Sequence, residues 1–291
     1  MATETMPAIG ITDREATLEY IRPDSKVNRR YMTAGKEVNT GKYEKKRVLI
    51  RDGRPDLEKI TLQTMGFHLM KHQSDVRDWS NMSELETSYS DEIREVISNV
   101  TGADKVIVFG PVRRTTRDKV ANESGQWNDQ PPASDVHVDF TPLRAEWLAD
   151  DFAKQNGLNR SDYKRVQIIN IWRAVSPGPQ NWPLAVCRGD KIDDEEGVIN
   201  HSIYGDTIPD LQNLPDLPDD PTHPEGSLFV YRPSHQWMYF SDMTKDEILM
   251  FKIYDSNQKK PWRVPHSAFM NEMEGTKTRE SVEIRTICFF K

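Results

Sequence analysis

Asp135-Val136-His137-Val138-Asp139-Phe140-Thr141-Pro142 is the stretch from which the fold is read. In a strand, residues two apart project to the same face, so His137 and Asp139 point together into one cavity. Thr141 can cap a helix and Pro142 suits its first position. Leu143, Trp147, Leu148 and Phe152 then line one face, and Gly157 can end it. A strand carrying an imidazole and a carboxylate, followed at once by an amphipathic helix, is the core of the reading.

An imidazole and a carboxylate are two donors of the facial triad that suits non-haem iron(II), whose three open positions accept a bidentate co-substrate and dioxygen. A third donor is expected well downstream. Of the seven histidines, His235 fits best. It follows the turn Arg232-Pro233-Ser234 and opens the aromatic strand Trp237-Met238-Tyr239-Phe240. His266, in Val264-Pro265-His266-Ser267, is the fallback; His68, His72, His201 and His223 lack that combination of turn, strand and position. A lone His-x-Asp is a weak signal, and its plain structural alternative is a polar strand end with a hydrogen-bonded histidine.

Working outward, residues 90–102 predict a helix with Ile93, Val96, Ile97 and Val100 as one stripe and Gly102 past its end. Residues 46–51 and 105–109 read as strands, and 60–69 alternates weakly. Beyond Gly157 the chain turns mostly β, with strands expected at 166–174, 184–187, 227–231, 235–240, 248–254 and 281–290. Several are continuous apolar runs, as for strands buried on both faces, and the short connections favour antiparallel pairing. Polar or proline-rich loops are expected at 113–134, 176–183 and 206–226; a long acidic loop such as the last is either functional or a solvated surface. The first 25 residues read as a loosely structured N-terminal extension, and 26–291 as a single domain.

The 291 residues are enough for one large β domain. A net charge of −7 favours solubility and does not suggest nucleic acid or an anionic membrane as partner. No apolar run is long enough to span a bilayer, and the N-terminus lacks the pattern of a signal peptide. Cys187 and Cys288 lie in apolar segments, which suits buried free thiols in a reducing, cytoplasmic compartment.

A dicarboxylate co-substrate needs a fixed cation beyond the metal. Arg173, Lys252 and Arg285 sit on inferred core strands, and each could instead be half of a structural ion pair, for example with Asp255 or Glu283. Phe140, Trp172, Trp237 and Tyr239 are the candidate substrate-lining aromatics; each could equally be core.

Five segments together carry a family resemblance: His137-Val-Asp-Phe-Thr-Pro, Asn170-Ile-Trp-Arg, Pro183-Leu-Ala-Val-Cys, Pro233-Ser-His-Gln-Trp-Met-Tyr and Phe251-Lys-Ile-Tyr-Asp-Ser. The chain resembles the AsaB/CmcJ-type hydroxylase/desaturase family, which includes gibberellin desaturase-like proteins, over roughly residues 60–290. The resemblance implies a mainly β (α+β) fold with a double-stranded β-helix (jelly-roll, cupin-like) core and flanking helices. It implies Fe(II), 2-oxoglutarate and O2, and hydroxylation, desaturation or oxidative cyclisation of a small natural-product, amino-acid or peptide-derived substrate. It makes His137, Asp139 and His235 the iron ligands and puts Arg173, Lys252 and Arg285 in basic strand positions. Where the family often has Asp after Ala-Val-Cys, this chain has Arg188. The competing readings are a cupin-like metal-dependent isomerase or hydrolase, for which zinc would serve, and a non-catalytic small-molecule-binding β domain. Self-association into a homodimer is left open.

Overall fold

The structure, a computed structural model, describes residues 12–33, 36–116, 129–217, 220–259 and 261–291. The first strands are β1 (Arg14–Ile21), β2 (Arg29–Met32), β3 (Glu37–Asn39), β4 (Tyr43–Asp52) and β5 (Phe67–Lys71). A helical turn, α1 (Met82–Glu84), leads through one wider turn into α2 (Ser90–Thr101). Then come β6 (Lys105–Thr115), β7 (Asp129–Gln130), β8 (His137–Val138), α3 (Pro142–Gln155), β9 (Arg165–Ala174), β10 (Leu184–Cys187) and β11 (Gly197–Tyr204). The last are β12 (Glu225–Phe229), β13 (Trp237–Tyr239), β14 (Glu247–Asp255), β15 (His266–Ala268) and β16 (Glu280–Phe290).

These strands form two sheets. One runs β5-β14-β9-β16-β6-β7; the other runs β1-β4-β13-β10-β15-β8-β12-β11-β2-β3. Their centres, β14-β9-β16-β6 and β13-β10-β15-β8, make up a double-stranded β-helix with antiparallel neighbours within each set. Parallel pairing occurs at the margins, in β2 with β11, β4 with β13 and β6 with β7.

The apolar runs of β9, β14 and β16 are continuous because both faces are covered. Ile168, Trp172, Leu249, Phe251 and Ile287 belong to the core between the sheets. Their neighbours Ile169, Ile171, Ile248, Met250 and Ile284 pack on the other face with Ile93 and Ile97 of α2. Helix α2 ends at Gly102 in the left-handed conformation, which glycine adopts without a Cβ clash. Thr141 accepts the Arg144 N–H and caps α3 as expected.

Four local expectations differ. The N-terminal segment is not loose throughout: β1 pairs with β4 over eight residues, because Ala16, Leu18 and Tyr20 alternate into the core. Strand β5 starts only at Phe67, after a tight helical turn at Arg54–Lys59. β11 and β15 were not anticipated: one has a half-buried, polar-rich pattern and the other is three residues long behind Pro265. Most of the predicted 113–134 loop lies outside the described residues, and 113–115 continue β6.

Cys187 and Cys288 are buried free thiols; burial pushes both up, Cys288 to about 12, which makes them poor nucleophiles at neutral pH. Among the described residues no helix is long and apolar enough to cross a membrane.

Asp255 ends β14 with its side chain fully buried. It accepts from Lys252 Nζ at 2.8 Å, Arg165 Nε at 2.8 Å and Gln167 Nε2 at 2.8 Å. Burial pushes its carboxyl up, but Arg165 and Lys252 win and hold it below the usual range. Asp255→Ala leaves a buried ammonium without that carboxylate, a change that costs about 3–5 kcal/mol. Urea unfolding of the variant is the check; a loss below about 1 kcal/mol would show that the pair is not holding the sheet together.

Candidate active site

The site is built where β8 meets β15. His137 stands directly opposite His266 in the antiparallel ladder, and their rings lie 4.4 Å apart between centroids. Asp139, two residues along from His137, lies 3.3 Å from His266 Nε2 and 3.6 Å from His137 Nε2. One ligand atom from each of the three falls within 4.8 Å of the others. Asp139 is held where β8 passes β12: a Cβ on Gly226 would meet the Asp139 and Val138 carbonyl oxygens at 3.0 Å, so a side chain there would push the Asp139 backbone away by a few tenths of an ångström. Just beyond, Thr141 anchors the chain by donating its hydroxyl to Glu225.

Each ring is oriented by its own strand. His137 Nδ1 lies 2.8 Å from the Asp135 carbonyl oxygen, and His266 Nδ1 lies 3.2 Å from that of Val264. A carbonyl only accepts, so both Nδ1 atoms carry the proton and both Nε2 lone pairs are turned toward Asp139. Burial, then electrostatic competition with the neighbouring His266 ring for a second proton, pushes His137 below the usual imidazole range. Burial would raise the Asp139 carboxyl, but Arg285 and the two imidazoles outweigh it and hold it well below the usual range. Two lone pairs and a carboxylate oxygen converge with no donor among them unless a ring takes a second proton. A divalent cation suits this arrangement, and two imidazoles with one carboxylate suit iron(II).

Next to Asp139 runs a chain of alternating charge. Arg285 Nε donates to Asp139 Oδ2 at 2.6 Å, and Arg285 Nη2 donates to Glu283 Oε1 at 3.1 Å. Arg114 forks onto Glu283 at 3.0 and 3.2 Å. Residues 279, 281, 283 and 285 share one face of β16 and its approach. Arg279 is buried, its guanidinium 5.2 Å from the Trp172 ring centre, donating to Ser281 Oγ and the Trp182 carbonyl. Among the described residues no carboxylate lies within 4.0 Å of it. Burial, then Arg114, pushes it down to about 9, a direction that an arriving anion reverses.

His235 corrects the expected ligand set. β13 is separated from β8 by β10 and β15, three strand spacings or roughly 14 Å. The His235 ring faces elsewhere: Nε2 lies 2.7 Å from buried Glu196 and Nδ1 3.1 Å from the Tyr20 hydroxyl. Trp237 belongs to the same cluster, donating its indole N–H to Tyr20 at 2.7 Å.

Strand parity sorts the cations. Arg285 faces the lumen. Arg173, next to inward Trp172, points to the other face, where it donates to Tyr89 and to the Lys245 and His72 carbonyls. Lys252 is opposite Ile169 on that same outer face and is committed to Asp255. The structure thus turns Arg173 and Lys252 away from the metal-ligand group and adds Arg279, which the sequence reading passed over. Its signal was the two-residue spacing from Ser281, Glu283 and Arg285.

The aromatics divide similarly. Phe140 lies against Arg285 at 5.8 Å, and Phe251 packs 4.7 Å from the His266 ring. Trp172 and Tyr239, with Leu184, Gln180, Asp242 and Asn271, line a cavity of about 260 Å³. Its walls are mixed, apolar on the Trp172 and Leu184 side and polar on the Gln180, Asp242 and Asn271 side.

A double-stranded β-helix with two imidazoles and a carboxylate converging between its sheets is the arrangement that non-haem iron oxygenases use. Comparison with known proteins agrees. A family model described as "Oxidoreductase/YMDC permease-like domain" matches residues 18–289. The chain is 30% identical over 264 residues to the hydroxylase/desaturase CTB9 of Cercospora beticola, covering 86% of this chain and 78% of that protein. It is 30% identical over 255 residues to the alpha-ketoglutarate-dependent dioxygenase tstK of Talaromyces stipitatus, covering 84% of each. The solved structure of the iron and alpha-ketoglutarate-dependent endoperoxidase NvfI superposes with a TM-score of 0.80 over 97% of this chain and 99% of that one, at 23% identity. The chain belongs to the AsaB/CmcJ-type hydroxylase/desaturase family of iron(II)- and 2-oxoglutarate-dependent oxygenases.

Proposed function

We propose that this chain holds iron(II) through His137, Asp139 and His266, anchors 2-oxoglutarate at Arg279, and oxidises a small natural-product molecule by hydroxylation, desaturation or cyclisation. The observation that carries the reading is the convergence of two Nε2 lone pairs and one carboxylate oxygen within 4.8 Å. Iron with 2-oxoglutarate and dioxygen supplies the oxidant that removes hydrogen from an unactivated carbon. The chain's own part is placement and charge.

Arg285 fixes one Asp139 oxygen and leaves the other toward the imidazoles. Three guanidinium groups (Arg114, Arg279 and Arg285) face two carboxylates (Asp139 and Glu283), an excess of one positive charge. A divalent ion raises that excess and a dicarboxylate lowers it again, so the site favours both ligands together over the metal alone. Arg279 on the face of Trp172 is suited to the far carboxylate, since its charge is desolvated and no carboxylate of the described residues lies within ion-pair distance of it. The 260 Å³ cavity beside Trp172 suits a compact organic substrate, and Trp172 and Tyr239, with Phe240, are its aromatic walls. We assign the protein to the cytosol on its buried free thiols and net negative charge, with no nucleic-acid or membrane partner.

Anaerobic addition of iron(II) and 2-oxoglutarate to the full chain should give a visible charge-transfer band. Admission of air should then convert 2-oxoglutarate to succinate. A metal-dependent hydrolase or isomerase on the same donors gives neither, and that outcome would remove the oxygenase reading.

A further inference from the structure

Behind the sheet that carries the metal ligands lies a second buried polar cluster, which holds none of them. Val186 stands opposite His266, so its neighbour Cys187 and the Cys187 partner Trp237 point to the face away from the lumen. β1 closes over that face, bridging from Glu19 to Asp135 and from Ile21 to Val230, and places Tyr20 there, fully buried. The Trp237 indole N–H donates to the Tyr20 oxygen at 2.7 Å. Stacked on Tyr20 at 5.6 Å, the His235 ring puts Nδ1 3.1 Å from the hydroxyl and Nε2 2.7 Å from Glu196 Oε2. A carboxylate only accepts, so Nε2 carries the ring proton and Nδ1 is left to accept the Tyr20 O–H. Burial holds His235 below the usual imidazole range and the Tyr20 phenol well above its own, so both are neutral at neutral pH.

Such a cluster is a costly way to hold a fold together. The Glu196 side chain is 1% exposed, and its Oε1 has no hydrogen-bond partner among the described residues; the nearest guanidinium, Arg232, is 3.9 Å away and half exposed. Apolar residues of similar volume would stabilise the same space as well or better. What the arrangement does suit is removal of an electron and a proton from Tyr20 together. The buried phenol does not ionise by itself. When an electron leaves, His235 Nδ1 can take the proton, and the Glu196 carboxylate is already in place to meet the new imidazolium charge.

We propose that Tyr20 is a redox-active residue that, through Trp237, delivers electrons to the iron centre when its oxidant forms with no substrate to consume it. This rests on the oxygenase reading and gives a use to residues outside the metal site. Left unspent, such an oxidant attacks the chain's own side chains, sulfur atoms among them. In each passage Tyr20 loses one electron toward the metal and its proton to His235 Nδ1, leaving a neutral phenoxyl radical beside an imidazolium–carboxylate pair. A small thiol in solvent then returns the electron by way of Tyr231, whose half-buried ring stands edge-on 5.3 Å from Tyr20. The His235 proton goes back to Tyr20, and the thiol's own proton is released to water. Two passages supply the two electrons that, with two protons from water, reduce the oxidant to iron(II) and water, while the two thiyl groups join as a disulfide. The route is short. β13 and β15 flank β10, two strand spacings or roughly 10 Å apart. Between them the Cys187 N–H donates at 2.8 Å to the carbonyl of Pro265, the neighbour of His266.

The test uses the full chain loaded with iron(II) and 2-oxoglutarate, mixed with oxygenated buffer without any other substrate, and frozen at intervals for electron paramagnetic resonance. Wild type should show a tyrosine radical whose signal narrows in protein made with ring-deuterated tyrosine, and added glutathione should remove it. Tyr20→Phe should lose the signal, and Trp237→Phe should delay it. His235→Gln keeps Tyr20 and a polar neighbour but takes no proton, so it should lose the signal as well; it also guards against a Tyr20 variant that fails to fold. Succinate formed per iron before inactivation should fall in Tyr20→Phe while its first turnovers keep the wild-type rate, a split that a merely structural tyrosine does not produce. Succinate formation in wild type without a tyrosine radical overturns the proposal. So does a signal that persists unchanged in folded Tyr20→Phe or His235→Gln. Failure of the wild-type chain to form succinate overturns the oxygenase reading and this inference with it.

Discussion

His266→Ala protein should neither turn over nor retain iron(II), whereas His235→Ala protein should retain the metal. His266 supplies one of three converging donors, with its Nδ1 already tied to the Val264 carbonyl so that Nε2 faces Asp139. Changing a group that merely orients a ligand typically costs 10- to 100-fold in metal affinity, so deleting a ligand should cost on the order of 100-fold or more. Unlike Asp139, His266 has no guanidinium partner among the described residues whose loss would complicate the outcome. The His235 variant has a different cost. Its Nε2 lies against Glu196, which is as buried as the ring itself, so truncation leaves a buried carboxylate without that partner and lowers stability. Its metal site should nevertheless bind iron(II) within a few-fold of wild type. Calorimetric metal titration of the two variants, with thermal melting alongside, separates the outcomes. Metal retained in His266→Ala and lost in folded His235→Ala would reverse the assignment.

That choice shows where sequence stops being informative. The His-x-Asp pair was readable because both residues belong to one strand, and two-residue parity is a local property. Its distal partner depends on which strand lies beside β8. His235 has the turn and aromatic strand that make a good local signal, but β13 hydrogen-bonds β4 and β10. His266 sits in three residues of strand behind a proline, a poor local signal, and lies directly across from His137. Strand adjacency is set by packing of the whole barrel, and no period within a segment reports it. Parity could have gone further than it did. It separates inward Trp172 from outward Arg173, and it aligns Arg279 with Arg285. The continuous apolar character of β9, β14 and β16 hid this, because with both faces buried hydrophobicity no longer marks which one looks inward.

Arg279→Leu should raise the 2-oxoglutarate concentration needed for half-saturation far more than any change at Lys252. Truncating one partner of a buried, hydrogen-bonded charge pair costs about 2–5 kcal/mol, roughly 30- to 5,000-fold in affinity. Arg279 meets the conditions for the upper part of that range: it is 1% exposed, donates to Ser281 and Trp182, and no carboxylate of the described residues lies within 4.0 Å of it. The same desolvation that lowers its pKa makes the empty site costly, so Arg279→Leu should also leave the metal-free protein as stable as wild type or more so. Lys252→Met predicts the reverse pair of results. It strands buried Asp255 with one cation fewer and lowers stability, while 2-oxoglutarate binding stays within about twofold. Titrating each metal-loaded variant with 2-oxoglutarate and melting each without metal gives four numbers whose signs must cross. If Lys252→Met weakens 2-oxoglutarate and Arg279→Leu does not, the far carboxylate is held from the opposite face of β14, and the arrangement of the lumen deduced from strand parity is wrong.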